Sequence, residues 1–260
     1  MSNNCSVWRF IPLLKASGNL QMAIDAWLLT QHSQGKHPPT LRFYTWEPVA
    51  ISLGYHQRHW PPTWQNLTWR GKPVELVRRP TGGRAVLHQG DLTYGVVTSG
   101  LSQRRLEAYQ SLCQFLIAGW RTLGFELDYG SAGRGYIHNP NCFATATGAD
   151  LILSDGYKLI GSAQLRRNGA ILQQGSMRLE PDAELHQQVF GVECLPSIVQ
   201  RFNLGSSSAD SQLSSIENRI IEALIQAACH CFQIEFKTEP LSDDEWQAIK
   251  VYAKTLHLCP

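Results

Sequence analysis

The chain has 260 residues, a formal net charge of +2, 43% apolar and 17% charged residues. That composition is globular and large enough to bury a substantial core. It carries no basic stripe of the kind a nucleic-acid surface shows. No apolar run approaches the ~18 residues of a membrane span, and the start, Met1 to Phe10, has no signal-peptide architecture, so a cytoplasmic location is expected. Seven scattered cysteines, an odd number, read as thiols in a reducing compartment. Cys229-His230-Cys231 has ligand-like spacing, but no second cluster completes a coordination set, and no metal is expected. The basic pairs Arg78-Arg79, Arg104-Arg105 and Arg166-Arg167 suit either a solvated surface or an acidic protein partner.

In chain order, Leu20, Ile24, Trp27 and Leu28 mark an amphipathic helix over 20–31, with Ser17-Gly18-Asn19 as its start. Leu41 to Trp46 and Val49 to Leu53 read as strands separated by Glu47-Pro48, and Val74 to Arg78 as a third. Ala85 to His88 and Thr93 to Val97 follow the glycine turn as two more. Residues 106–123 form the clearest helix, stopped by Gly124. The stretch Gly130 to Gly148 is aperiodic and polar, a long loop of the functional kind. Short strands at 151–153, 159–160 and 170–172 are joined by the hairpin signals Asp155-Gly156 and Asn168-Gly169. Pro181-Asp182 opens a helix ending at Phe190-Gly191. Gly205 to Asp210 reads as a linker. A helix through Ile216, Ile220, Leu224 and Ala228 follows, then a strand over 233–236. A last helix opens with the capping box Ser242 to Glu245. The order of elements predicts an α+β fold with a mixed or antiparallel sheet and flanking helices. One domain is expected over 1–260, its core at about 10–205, with 211–260 as a helix-strand-helix C-terminal extension.

The chemistry gathers in two segments. Arg78-Arg79-Pro80-Thr81-Gly82-Gly83-Arg84-Ala85-Val86-Leu87-His88 sets paired glycines, which let backbone N–H groups approach a ligand, beside charged groups. Lys158-Leu159-Ile160-Gly161-Ser162-Ala163-Gln164 sets a lysine on a strand before a second small-residue run. A lone cysteine, Cys142, lies between them in the polar loop. With Met22 to Asp25, the Phe43-Tyr44-x-Trp46 strand and Ser52 to Gln57, these motifs resemble the biotin/lipoate ligase and lipoyl/octanoyl transferase family over residues 10–200. Within it they look most like the cysteine-dependent octanoyltransferases.

The resemblance implies transfer of an octanoyl group from octanoyl-acyl-carrier protein to a lysine of an apo lipoyl domain. The acceptor would belong to a 2-oxoacid dehydrogenase complex or be the glycine cleavage H protein. Asn141-Cys142-Phe143 occupies the loop where those transferases place a nucleophilic cysteine. Lys158 matches their lysine and is the expected base, with His138 in reserve. Passing the acyl group through a thiolate divides a hard transfer between bulky proteins into two steps. The resemblance places substrate binding at Tyr44, Arg79, Thr81, Gly82, Gly83 and His88 on one side. It adds Gly161, Ser162 and Ala163 on the other. Backbone N–H groups at Gly82-Gly83 or Gly161-Ser162 would receive the oxyanion.

Arg84 stands where ATP-dependent lipoate ligases have a third glycine, and little chain follows the linker, so no cofactor is expected. The alternative ligase reading would need ATP and Mg. A lipoyl amidotransferase would also carry these motifs, as would a non-catalytic acyl or lipoyl-domain binding module. No nucleic acid or membrane enters any of these readings, and apart from the Mg of the ligase alternative no metal does. Gln174 replaces the family's usual histidine, which removes an acid–base role there. Gln89-Gly90-Asp91 replaces its Asp-x-Glu, so a polar role at Asp91 does not follow from the resemblance.

Overall fold

Residues 40–46 and 91–99 alternate between two buried faces, and this double burial sets the architecture. A computed structural model of the chain describes residues 5–130, 148, 150–192, 197–202 and 209–256. In order, the strands and helices begin with β1 (Ser6–Ala16), α1 (Gly18–Ser33), β2 (Thr40–Trp46) and β3 (Ala50–Leu53). Next come β4 (Thr68–Trp69), β5 (Lys72–Pro73), β6 (Glu75–Arg78), β7 (Val86–His88) and β8 (Asp91–Ser99). They continue with α2 (Arg105–Thr122), β9 (Leu127–Tyr129), β10 (Asp150–Leu153), β11 (Lys158–Arg167) and β12 (Ala170–Arg178). The last are α3 (Ala183–Phe190), α4 (Ala209–Phe232), β13 (Ile234–Thr238) and α5 (Asp243–Thr255).

Among the described residues, an eight-stranded sheet runs β13-β1-β2-β8-β12-β11-β10-β9, and a three-stranded sheet runs β6-β3-β7. β1 pairs in parallel with both β13 and β2, while β2, β8, β12, β11, β10 and β9 pair antiparallel in succession. The sheet is therefore mixed, as the sequence predicts. One face carries Phe43, Tyr94, Val96 and Ile160 against Leu112, Leu116 and Trp120 of α2 and Ile216, Ile220 and Leu224 of α4. The other carries Val97 and Leu172 against Ile24 and Leu28 of α1, with Ile249 of α5 beyond. α1 is enclosed between sheet and α5, so apolar residues surround most of its circumference. The small sheet has its own core, where Ile51, Leu53 and Trp64 meet Leu185 of α3.

The predicted elements are present, several of them longer than the sequence suggests. Both hairpin signals act as expected: Asn168 and Gly169 take φ of 49° and 81° between β11 and β12, and Gly156 takes 84° between β10 and β11. The capping box at Ser242 and Glu245 is formed, and Glu245 also receives the buried Arg9 guanidinium. β1 escapes sequence reasoning because Trp8 to Ile11 is a short run buried without alternation. The expected loop over 130–148 lies outside the described residues except at its two glycines. Asn141-Cys142-Phe143 and His138 fall there too, as does most of the expected linker.

Helix α2 approaches α4 closely at Gly119. A Cβ there would lie 2.7 Å from Leu224 Cδ2 and 3.1 Å from its backbone Cα. Gly119→Val should push the helices apart and destabilise the protein by roughly 1–3 kcal/mol, the usual cost of overpacking. Urea denaturation read by tryptophan fluorescence measures this, and an unchanged midpoint would contradict the close packing.

Candidate active site

The face of the sheet that carries α1 is where the sequence-selected residues meet. Gly161 pairs with Ser176, and Ala163 with Gln174, whose other neighbour is Gly95 of β8. Directly opposed residues share a face, so Gly161, Ala163, Gln174 and Ser176 all look toward α1. Lys158 precedes Gly161 by three, a spacing that in a regular strand puts it on the opposite face. A bulge intervenes: Leu151 pairs with Ile160 but the next residue, Ile152, pairs with Lys158. The extra residue, Leu159, restores Lys158 to the face of Gly161 and Ala163. There Lys158 is buried, with Nζ 2.9 Å from the equally buried Asp150 carboxylate of β10.

The opposite wall is the connection between β6 and β7. Arg79 clamps it, its guanidinium donating to the carbonyls of Gly82 (2.8 Å), Arg84 (2.7 Å) and Ser52 (2.8 Å). Gly83 takes φ of +97°, and a Cβ there would sit 2.8 Å from Arg79 Nη2. Arg78 holds the next loop, donating to the carbonyls of Gly54 and Gln57. Thr81 is joined to the sheet, its hydroxyl donating to Gln174 Oε1 at 2.9 Å.

Two buried polar groups complete the enclosure. Gln174 Nε2 donates to Asp25 Oδ2 on α1, and Asp25 also accepts from Tyr44 Oη (2.8 Å) and Arg42 Nε (2.6 Å). Burial, and then the Asp25 charge, push the Tyr44 phenol well above its ordinary pKa, so it stays a donor. Beside this, Asp91 accepts from His88 Nδ1 (2.8 Å), Ser176 Oγ (2.7 Å) and Thr93 Oγ1 (3.1 Å). With its Nδ1 proton directed at Asp91, His88 offers Nε2 to the Ser52 hydroxyl at 2.8 Å. The ring stacks on Trp46 at 3.7 Å between centroids.

Tyr44, Arg79, Thr81, Gly83, His88, Gly161, Ser162 and Ala163 line one narrow cavity of about 50 Å³, together with Met22, Trp46 and Val86. Ser162 contributes backbone, because its hydroxyl points through the sheet to Tyr94 Oη at 2.8 Å. Gly82 lines an adjoining recess that shares Arg79. Lys158 lies on the cavity's face of the sheet but outside its lining. Cys142 lies outside the described residues. Sequence reasoning assigns nothing to Asp25, Ser52 or Asp150, and derives no role for Asp91. Asp91 in fact anchors three side chains. The signal for each is a short polar residue inside an apolar element.

Residues 17–237 match the family model described as "Lipoyl protein ligase A/B catalytic domain". The chain belongs to this family. Among curated members, it is 39% identical to the octanoyltransferase LipM of Kyrpidia tusciae over 73% of this chain and 71% of that one. It is 32% identical to the octanoyltransferase LipM of Anoxybacillus flavithermus over 95% and 94%. Solved structures share the fold. The T. acidophilum protein Ta0514 with bound lipoic acid superposes with a TM-score of 0.73 at 21% identity, over 95% of each chain. Lipoate-protein ligase A bound with ATP gives 0.69 at 22%, over 95% and 94%.

Removing Asp25 leaves Arg42 buried without its carboxylate. Asp25→Ala should therefore cost about 3–5 kcal/mol, more than a surface change by several fold. Chemical denaturation checks this, and a loss below about 1 kcal/mol would mean that the network does not support the core.

Proposed function

We propose that the protein transfers an octanoyl group from octanoyl-acyl-carrier protein to a lysine of an apo lipoyl domain, through a thioester on Cys142. The observation that carries this reading is the run of curated relatives at 30–39% identity, each named an octanoyltransferase. Local geometry agrees with it. Arg84 stands after Gly82-Gly83, and its carbonyl is held by the Arg79 clamp, so the turn closes on itself. The likeness to the solved ligase structures, at 21–22% identity, is one of fold.

In this reading the acyl chain occupies the narrow cavity between Ala163, Tyr44, Trp46 and Gly83. The Cys142 thiolate attacks the donor's thioester carbonyl, and the carrier's thiol departs with the proton that Cys142 gave up. The lysine amine of the lipoyl domain then attacks the new thioester. Its proton returns to the sulfur as the amide forms, which regenerates Cys142. Lys158 orients the carbonyl and handles the proton, and its contact with Asp150 gives the pair a second place to hold one. The acceptor is a lipoyl domain of a 2-oxoacid dehydrogenase complex or the glycine cleavage H protein. A cytoplasmic location goes with this reading, and no nucleotide is required.

Incubation with octanoyl-acyl-carrier protein and no acceptor should add one octanoyl mass, released by hydroxylamine. Cys142→Ala should lose both adduct and turnover. Lys158→Ala should lose about 10²–10⁴-fold in kcat/KM. Transfer that needs Mg-ATP, or an adduct on another cysteine, would overturn the reading. Cys113 serves as an internal control: burial pushes its thiol up to about 12, so it stays protonated and unalkylated in the native protein at pH 8.

A further inference from the structure

Beside the narrow cavity lies a larger recess of about 710 Å³, and the same structural walls form both. β11 lines the cavity with Gly161 to Ala163 and the recess with Gln164 to Arg167. α1 gives Met22 to the cavity and Ala26 and Leu29 to the recess. The glycine turn gives Thr81 and Gly83 to one, and Pro80 and Gly82 to the other. A molecule lying in the recess would lead directly into the cavity.

The recess is cationic. Arg78, Arg105, Arg166 and Arg167 line it, and no carboxylate does. Among the described residues none of these four forms an ion pair. Three are held by neutral acceptors instead. Arg78 binds the carbonyls of Gly54 and Gln57, Arg166 those of Ser102 and Gln103, and Arg167 the Thr30 hydroxyl. Among the described residues, the buried Arg166 Nε meets no acceptor. Guanidinium groups fixed by neutral partners keep their full charge and have already lost much of their freedom, which suits phosphate recognition. Tyr55, 58% exposed, stands at the rim as an aromatic contact.

We propose that this recess is the donor's docking site, and that it receives the phosphodiester-bearing pantetheine arm of an acidic carrier protein. The proposal rests on the transferase reading and names the surface that reading lacks. The arm's single phosphodiester accounts for a concentrated cluster of arginines, and the acidic carrier behind it for the spread of charge toward Arg105 and Arg167. The arm carries its thioester along β11 from Arg167 toward Ala163 and so points the acyl chain into the narrow cavity.

The test is binding, read without turnover. Dissociation constants of the full chain are measured by calorimetry for holo-acyl-carrier protein, for its apo form lacking the arm, and for apo lipoyl domain. The parent should bind the holo form more tightly than the apo form, and salt should weaken it. Arg105→Glu with Arg167→Glu should weaken holo binding by at least ~10-fold and flatten the salt dependence, with circular dichroism and Tm preserved. The glutamine pair carries the same test at smaller amplitude if the reversal pair fails to fold. Equal binding of holo and apo forms, unchanged affinity in the folded variants, or a loss confined to the lipoyl domain would each overturn the proposal. Failure of the parent to transfer octanoate would instead count against the transferase reading, since the binding data do not depend on it.

Discussion

The ion pair between Asp25 and Arg42 is the contact on which the site's geometry depends. Both side chains are only 1% exposed, so each would be costly alone. Together with Tyr44, Gln21 and Gln174 they satisfy one another inside the protein. The network ties α1 to β2 and β12, and through Gln174 to Thr81 on the glycine turn. It also fixes depth: a Cβ at Gly95 would stand 2.9 Å from Asp25 Oδ1, so α1 can settle on the sheet only where β8 has no side chain. An apolar interface of equal area would let α1 slide. The charged one sets its register, and with it the position of Met22 in the cavity wall.

Much of the most recognisable motif is architecture. In Arg78-Arg79-Pro80-Thr81-Gly82-Gly83, Arg78 points its donors at carbonyls of the loop after β3, and Arg79 at carbonyls of its own turn and of β3. Thr81 reaches the sheet, and Gly83 supplies a left-handed φ. Gly54 shows how tight the result is: a Cβ there would fall 1.8 Å from the Gly83 carbonyl oxygen. The turn is thus a rigid lip, held from behind, that leaves its front surface for a ligand.

The fold class and most elements are legible in the sequence because their signals are local. Turn dipeptides, a capping box and helical periodicity each act over a few residues. What stays hidden depends on register between strands. The polar centres of β11 and β12, at Gly161-Ser162 and Gln173 to Ser176, interrupt the apolar pattern, so only the apolar ends of these strands stand out. Lys158 is selected by context, but its side of the sheet is set by the bulge at Leu159, which is invisible without the pairing to β10. Asp150 escapes for the same reason, since its pairing with Lys158 needs β10 set against β11, and so does the bond of Asp91 to Ser176, eighty-five residues on, although its other partners, His88 and Thr93, are local. Gln174 stands out only as a replaced histidine with no proton to transfer, yet it joins the turn to α1.

β1 lies between two parallel neighbours, β2 close behind it and β13 more than two hundred residues later. During synthesis at the ribosome its outer edge therefore stays open until more than two hundred further residues have emerged. Parallel pairing over such a distance carries a large loop-closure cost and forms late. The central antiparallel strands and α1 can assemble first, cavity included, while the unpaired edge of β1 is the surface at risk of joining another nascent chain. The charged residues that alternate along β13, Glu235 and Lys237, face away from the core, so the strand that finally covers this edge presents a guarded margin of its own.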